Sequence, residues 1–120
     1  MNIIIDPEQL EEYQKKYTVL ELDTFRIVPE NKQVKAYCMV ETIPIGELHL
    51  TQSNKNLHNG LMESYRNRNW NYCNEALDHL VGCWNKELDS FYEDIRNRIN
   101  LYTENEPGDS WDGVIEKHTA

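Results

Sequence analysis

Three side chains of zinc-binding types follow one another at a helical spacing. His79, Cys83 and Glu87 lie four residues apart, which would place an imidazole, a thiolate and a carboxylate on one face of a continuous helix. Gly82 lies inside that stretch and favours a helix end, because glycine readily takes the left-handed conformation that follows many helices. Single His and Cys side chains on helices are more typical of partly buried structural residues. We therefore predict no metal ligands and no metal cofactor.

A basic and aromatic run connects two predicted helices. Residues 65–72 alternate arginines with aromatic side chains, a composition typical of surfaces on which single-stranded nucleic acids stack. Tyr65 and Trp70, however, flank a helical turn where a helix hairpin needs large apolar anchors. The formal net charge of −9 also repels a phosphate backbone. We expect no nucleic-acid binding, and we keep Tyr65 and Trp70 as candidate protein-interaction residues.

Carboxylates surround a tryptophan near the C-terminal end of the sequence. Glu106, Asp109 and Asp112 lie around Trp111, but their spacing does not follow that of a calcium-binding loop. A solvated acidic turn anchored by Trp111 explains this pattern better. Because tryptophan is enriched among the residues that dominate protein interfaces, Trp111 is the third candidate interaction residue. The sequence contains no phosphate-binding loop, nucleophile elbow or zinc-protease motif, so we predict no catalytic or cofactor-binding residues.

Length and composition predict one folded domain. The chain has 120 residues, of which 39% are hydrophobic, enough to form a core. Apolar runs such as Ile3, Ile4 and Ile5 are far shorter than the roughly 20 residues of a membrane-spanning helix, so we expect no membrane partner. The three cysteines are odd in number and lack a CxxC spacing, which favours reduced thiols and a cytoplasmic location.

The first third of the sequence predicts a small sheet with one helix. Residues 3–5 form a strand candidate, and Asp6 followed by Pro7 is typical of a capped helix start. From residue 18 to residue 41 the apolar positions alternate, which predicts two antiparallel strands around a turn at residues 29–32. The apolar phase shifts at Asp23 and Thr24, which indicates a β-bulge in the first of these strands.

The rest of the sequence has a helical period. Three amphipathic helices are predicted from apolar stripes, with Gly82 ending the second and Asn85 available to cap the third. The stripes are Leu57, Leu61 and Tyr65; then Trp70, Cys73, Leu77, Leu80 and Trp84; then Leu88, Phe91, Tyr92, Ile95, Ile99 and Tyr102.

We therefore predict an α+β fold, in which a small antiparallel sheet with an N-terminal helix is covered by a three-helix C-terminal layer. Within a single domain of residues 1–120, the strand-helix-hairpin part spans residues 1–47 and the helical part spans residues 48–104. Residues 105–120 form a tail that packs back on the body.

Several segments resemble parts of a known family. The segments IIID, PEQLEEYQKKY and ELDTFRIVPENKQVKAYCMVE resemble the last third of a class III nucleotide cyclase domain, where a strand-helix unit leads into a hairpin. The segments LHNGLMESYRNRNWNYCNEAL and EPGDSWDGVIEK resemble the helical tail of bacterial adenylate cyclases. The matching residues of the closing motif are Pro107, Trp111, Asp112, Gly113, Val114 and Lys117.

The resemblance implies that the catalytic residues of that family are missing. Its two metal-binding aspartates and its asparagine-arginine pair lie upstream of the matching segment, and its phosphate-contacting lysine falls at Val28. Two-metal chemistry needs paired carboxylates, so the resemblance implies no cyclase activity for this chain alone. The short, acidic, Asn-rich chain also resembles small uncharacterised proteins of tailed phages, for which the location would be the host cytoplasm.

Together these features favour a non-catalytic module that binds a protein or regulates one. Small sheets leave edges that invite pairing, so we expect a homodimer. Two alternatives remain: an enzyme or nucleotide binder of unrecognised type, and an acidic mimic of nucleic acid that occupies a basic protein site.

Overall fold

The computed structural model describes residues 1–118 and confirms the predicted α+β class. A four-stranded, mostly antiparallel sheet occurs together with four α-helices. Two short 3-10 helices are also present: Ile45–Leu50 precedes the helix Thr51–Arg66, and Trp84–Lys86 lies between the last two α-helices. In chain order the strands and helices are β1 (Asn2–Ile4), α1 (Pro7–Gln14), β2 (Thr18–Val28), β3 (Lys32–Val40), α2 (Thr51–Arg66), α3 (Trp70–Leu80), α4 (Asp89–Glu104) and β4 (Ile115–His118).

The chain forms two units. Met1–Glu41 and the residues from Trp111 onward make up the first, which we name the sheet unit. Thr42–Ser110 make up the second, which we name the helical unit. The sheet unit is therefore discontinuous in sequence, because the helical unit lies between its two segments.

The sheet unit has the strand order β1-β3-β2-β4. β3 pairs antiparallel with β1 and with β2, so that Cys38, which is fully buried, lies between Ile3 and Leu20. The register shifts between Glu21 and Thr24, which confirms the bulge predicted from the phase shift. β1 begins and ends one residue earlier than predicted.

Helix α1 begins at Pro7, as predicted. The Asp6 carboxylate accepts a hydrogen bond of 2.9 Å from the backbone N–H of Glu8, which satisfies one of the donors that every helix start leaves open. Proline has no N–H and has a fixed φ, so it costs nothing at this first position. The helix packs against β2.

Strand β4 was not predicted. Ile115–His118 pair parallel with residues 25–28 of β2. The Arg26 guanidinium donates to the carboxylates of Asp112 at 3.0 Å and Glu116 at 3.5 Å, and Lys117 Nζ lies 5.6 Å from the centre of the Phe25 ring. The C-terminal segment is thus held by main-chain pairing and by charge.

In the helical unit, α2 packs against α3, and α3 packs against α4. Gly60 permits a close approach of the first pair, because a Cβ atom there would lie 2.6 Å from Tyr72 Oη. The predicted apolar stripes supply most of the buried residues. The buried stripe residues include Leu61, Tyr65, Cys73, Leu77, Leu80, Tyr92, Ile95 and Ile99.

Helix α3 ends just before Gly82, as predicted, but Trp84, which the apolar stripe assigned to this helix, lies outside it. The helix ends at Leu80, and Gly82 follows with a φ of +90°, a conformation that glycine adopts without a steric penalty. Trp84 is buried, but it lies in a 3-10 turn whose residues have positive φ. Asn85 shares that conformation and does not cap α4.

Candidate functional site

The structure places two of the three candidate interaction residues against each other. Trp70 lies edge-on to Tyr65, with ring centres 6.1 Å apart, and stacks on Tyr102 at 5.8 Å. Tyr65 is only 2% exposed, so this ring offers little surface to a partner. Trp111 is half-buried and belongs to the sheet unit.

The basic run between α2 and α3 makes contacts within the helical unit. Arg68 donates through Nη1 to the carbonyl of Pro107 at 2.9 Å and through Nη2 to that of Gly108. The same guanidinium lies 3.6 Å from the carboxylate of Glu106. This arginine therefore fastens the loop that follows α4, a structural role for its charge.

The three zinc-type residues do not share a helix, because α3 ends before Cys83. The Cys83 thiol donates to the carbonyl of His79 at 3.2 Å. Burial raises the pKa of this thiol, and the carboxylates of Glu47 and Asp89 raise it further, so it is a poor source of thiolate. Within residues 1–118 no three His, Cys, Asp or Glu side chains gather as a metal site.

None of the helices in the described part of the chain has the length and apolar character needed to cross a bilayer.

A groove in the sheet unit is the best candidate site, and sequence analysis did not identify it. β1 pairs with residues 37–39 of β3, and the chain then turns at Asp6 into α1. Residues 32–36 of β3 therefore continue beyond β1. Among the described residues, no strand pairs with this stretch on the side away from β2. A cavity of about 560 Å³ lies between this edge and the start of α1.

The groove has an apolar lining with charged groups along it. Ile5, one of the lining residues, is 60% exposed. The remaining apolar lining is half-buried apart from the exposed Pro7. The full lining consists of Ile5, Asp6, Pro7, Leu10, Lys32, Gln33, Val34, Lys35 and Tyr37.

The open edge of β3 supplies main-chain hydrogen-bonding groups. Along an antiparallel strand, successive residues direct their N–H and C=O groups alternately to the two sides. Residues 32–35 pair with β2 on one side, in a register that joins Lys32 to Ile27 and Lys35 to Thr24. The groups on the other side face the groove along roughly 17 Å of strand.

Charge is distributed unevenly across the groove. Lys35 Nζ lies 3.6 Å from the Glu21 carboxylate, whereas Lys32 is exposed and has no ion pair within residues 1–118. On the α1 side, the Asp6 carboxylate is engaged as the helix cap. The β3 side is therefore positive, in a chain whose net charge is −9.

Tyr37 adds a polar group to the wall of the groove. Burial raises the pKa of its phenol above the usual 10.0, and the nearby Glu21 carboxylate raises it further. The hydroxyl group is therefore protonated at neutral pH and can donate a hydrogen bond. Its half-buried ring contributes apolar surface to the same wall.

The groove thus combines an open strand edge, exposed apolar side chains and two ammonium groups. These features suit the binding of an extended chain. The only sequence signals for it were the early break at Asp6-Pro7 and the two lysines of the second hairpin strand. Comparisons of the chain with protein-family models, curated proteins and solved structures found no match.

Proposed function

We propose that the protein is a non-catalytic interaction module that binds an extended segment of another protein in the groove between α1 and β3. The observation that supports this proposal is the open edge of β3, at residues 32–36, beside apolar side chains. Adding a strand to a sheet edge is a common way to bind peptides: the main chain gives affinity and side-chain pockets give specificity.

The register explains why the position beside β3 is empty. Ile4 pairs with Tyr37, and in this antiparallel register each step forward along β1 corresponds to one step back along β3. Continued pairing would place Pro7 opposite Val34, but proline has no N–H to donate and begins α1 here. The chain turns away, and a separate segment can take the position that β1 leaves.

Apolar contacts can supply much of the binding free energy. Ile5 is largely exposed, and Leu10 and Val34 are half-buried. Burying a large aliphatic side chain completely stabilises a complex by about 1.5–3 kcal/mol, less the cost of ordering the bound segment. A segment with alternating apolar residues presents one apolar face to these side chains.

We also propose self-association and a cytoplasmic location. In residues 1–118 the outer strands β1 and β4 each pair on one side only, which favours pairing between two copies. The three cysteines, all in the described part, form no disulfide, which supports a reducing compartment.

Selection from a display library of random twelve-residue peptides tests the groove. We expect the selected peptides to bind saturably and to slow amide hydrogen exchange at residues 32–36. Ile5→Ser should weaken binding, whereas Leu101→Ser, which changes a similarly exposed side chain (57%) on α4, should not. Failure to select any peptide that protects β3, or equal effects of the two substitutions, would contradict the proposal.

A further inference from the structure

We propose that the groove selects an extended segment with two acidic side chains three residues apart, which contact Lys32 and Lys35. This inference rests on the proposed function and names the partner's chemistry. It follows from the positions of the two lysines on β3 and from the charges around them.

The spacing of the lysines sets the spacing of the acidic residues. Lys32 and Lys35 both line the groove, and three residues of strand separate them by roughly 10 Å. In an antiparallel pair, the residues opposite them are also three apart, and oppositely charged side chains in such cross-strand positions attract each other. An acidic residue at position i and another at position i+3 of the bound segment meet both ammonium groups.

The two lysines do not contribute equally. Glu21 lies 3.6 Å from Lys35 Nζ and neutralises part of its charge. Lys32 is exposed and has no ion pair in the described part of the chain. We therefore expect Lys32 to contribute more than Lys35 to the preference for a carboxylate.

The opposite wall restricts where the acidic side chains can lie. Asp6 lines the groove on the α1 side, with its carboxylate bound to the N–H of Glu8. A carboxylate of the ligand placed against Asp6 would be repelled. Because the side chains of an extended segment alternate between the two faces of the sheet, the acidic residues at i and i+3 should lie on opposite faces, each beside its own lysine. Neutral residues should occupy the positions nearest Asp6.

A second copy of this chain fits the groove less well. Symmetric pairing of two β3 edges would bring four lysines into one short ladder, because each copy contributes Lys32 and Lys35. Like charges close together across a ladder are destabilising. An acidic segment of a different protein is the occupant that the charges favour.

Matched peptides test this inference. A groove-binding peptide is synthesised with Glu, Gln or Lys at positions i and i+3, and Kd is measured by fluorescence anisotropy at low salt. We expect the Glu peptide to bind about three- to tenfold more tightly than the Gln peptide, with the Lys peptide weakest. The advantage of Glu over Gln should shrink as salt rises.

Substitution of the lysines identifies the source of the preference. Lys32→Gln should remove most of the advantage of the Glu peptide, and Lys35→Gln should remove less of it. Lys55→Gln, on α2, is the control and should leave the advantage unchanged. Equal affinities of the three peptides, or a preference that survives Lys32→Gln combined with Lys35→Gln, would overturn the inference while leaving a groove-binding function in place. The absence of any groove-binding peptide would overturn both.

Discussion

Tyr92 joins two buried polar side chains in the helical unit. The indole N–H of Trp84 donates to Tyr92 Oη at 3.0 Å, and this oxygen lies 2.9 Å from Nδ1 of the fully buried His58. Because an indole can only donate, the Tyr92 hydroxyl accepts from Trp84. The same hydroxyl shares a hydrogen bond with Nδ1 of His58, whose direction depends on the histidine tautomer.

Tyr92→Phe should destabilise the protein by about 1–3 kcal/mol. The substitution keeps the ring but leaves the Trp84 N–H and His58 Nδ1 without this partner, and buried polar groups that lose a hydrogen bond are costly. Chemical denaturation monitored by tryptophan fluorescence measures the change. Tyr17→Phe removes a hydroxyl group from a side chain that is 38% exposed and should cost little. Equal losses for both substitutions would contradict the network.

Trp111→Ala should lower the thermal midpoint, but less than the loss of a fully buried tryptophan would. Full burial would make the cost about 3–5 kcal/mol. Trp111 is half-buried, so we expect about 1–3 kcal/mol. An unchanged midpoint would exclude a structural role. Loss of peptide binding in a variant of unchanged stability would make Trp111 a contact residue instead.

At the residue scale, the apolar spacing identified most core positions but missed His58. Leu61 and Tyr65 lie three and seven residues after it, so the helical period places all three on one face. A histidine on an apolar face was not included in the stripe because its hydrogen-bond partner, Tyr92, lies 34 residues further along the chain. That hydrogen bond depends on the packing of the helices, which periodicity does not describe.

At the scale of elements, local signals were sufficient where the cause of the structure is local. The cap at Asp6, the start of α1 and the bulge in β2 each depend on a few neighbouring residues, and all three were predicted. Strand β4 depends on β2, about ninety residues away, and has only one apolar residue, Ile115. The groove was not predicted for a related reason. It exists only because β1 ends before it reaches the part of β3 that begins at Lys32.

Asp112→Asn should weaken the attachment of β4 at neutral pH but not in acid. The N–H of Val114, followed by the guanidinium of Arg26, lowers the pKa of the Asp112 carboxyl below 3.8. The pKa is therefore lower in the folded state than in the unfolded state, so the charged carboxylate stabilises the fold at pH values above the unfolded-state pKa. This stabilisation is lost as the pH falls through the folded-state pKa.

Thermal unfolding at two pH values tests this linkage. Because about half of the Asp112 side chain is exposed, solvent screening limits the effect, and we expect Asp112→Asn to lower the midpoint by about 2 °C at pH 7. At a pH below the lowered pKa of the Asp112 carboxyl, the difference should disappear. Asp109→Asn is the control. A difference of the same size at both pH values would show that charge is not the cause.

For the whole molecule, the net charge of −9 sets the background against which the groove acts. Acidic peptides experience repulsion from the net charge of the chain and attraction at the β3 side of the groove. Salt screens both effects, but contacts at short range are screened less. The expected Glu preference is therefore a local property that the overall composition does not indicate, and composition alone would have favoured a basic partner.

The homodimer expected from the sequence remains a prediction. Static light scattering should give a mass about twice the 14.3 kDa of one chain, because strands at sheet edges favour two-fold pairing. If the dimer uses an edge other than that of β3, groove-binding peptides should leave this mass unchanged. A monomer mass at high protein concentration would contradict the expectation.

The discontinuity of the sheet unit has a consequence for biosynthesis. A ribosome produces β1, α1, β2 and β3 first, then every helix of the helical unit, and only then β4. Domains generally fold as they emerge, so α2 to α4 can complete their own packing while the first-made sheet still lacks its fourth strand. The sheet unit is therefore the last to be completed, although its first strands are synthesised first. A nascent chain that pauses before residue 111 exposes the edge of β2 to chaperones or to neighbouring chains.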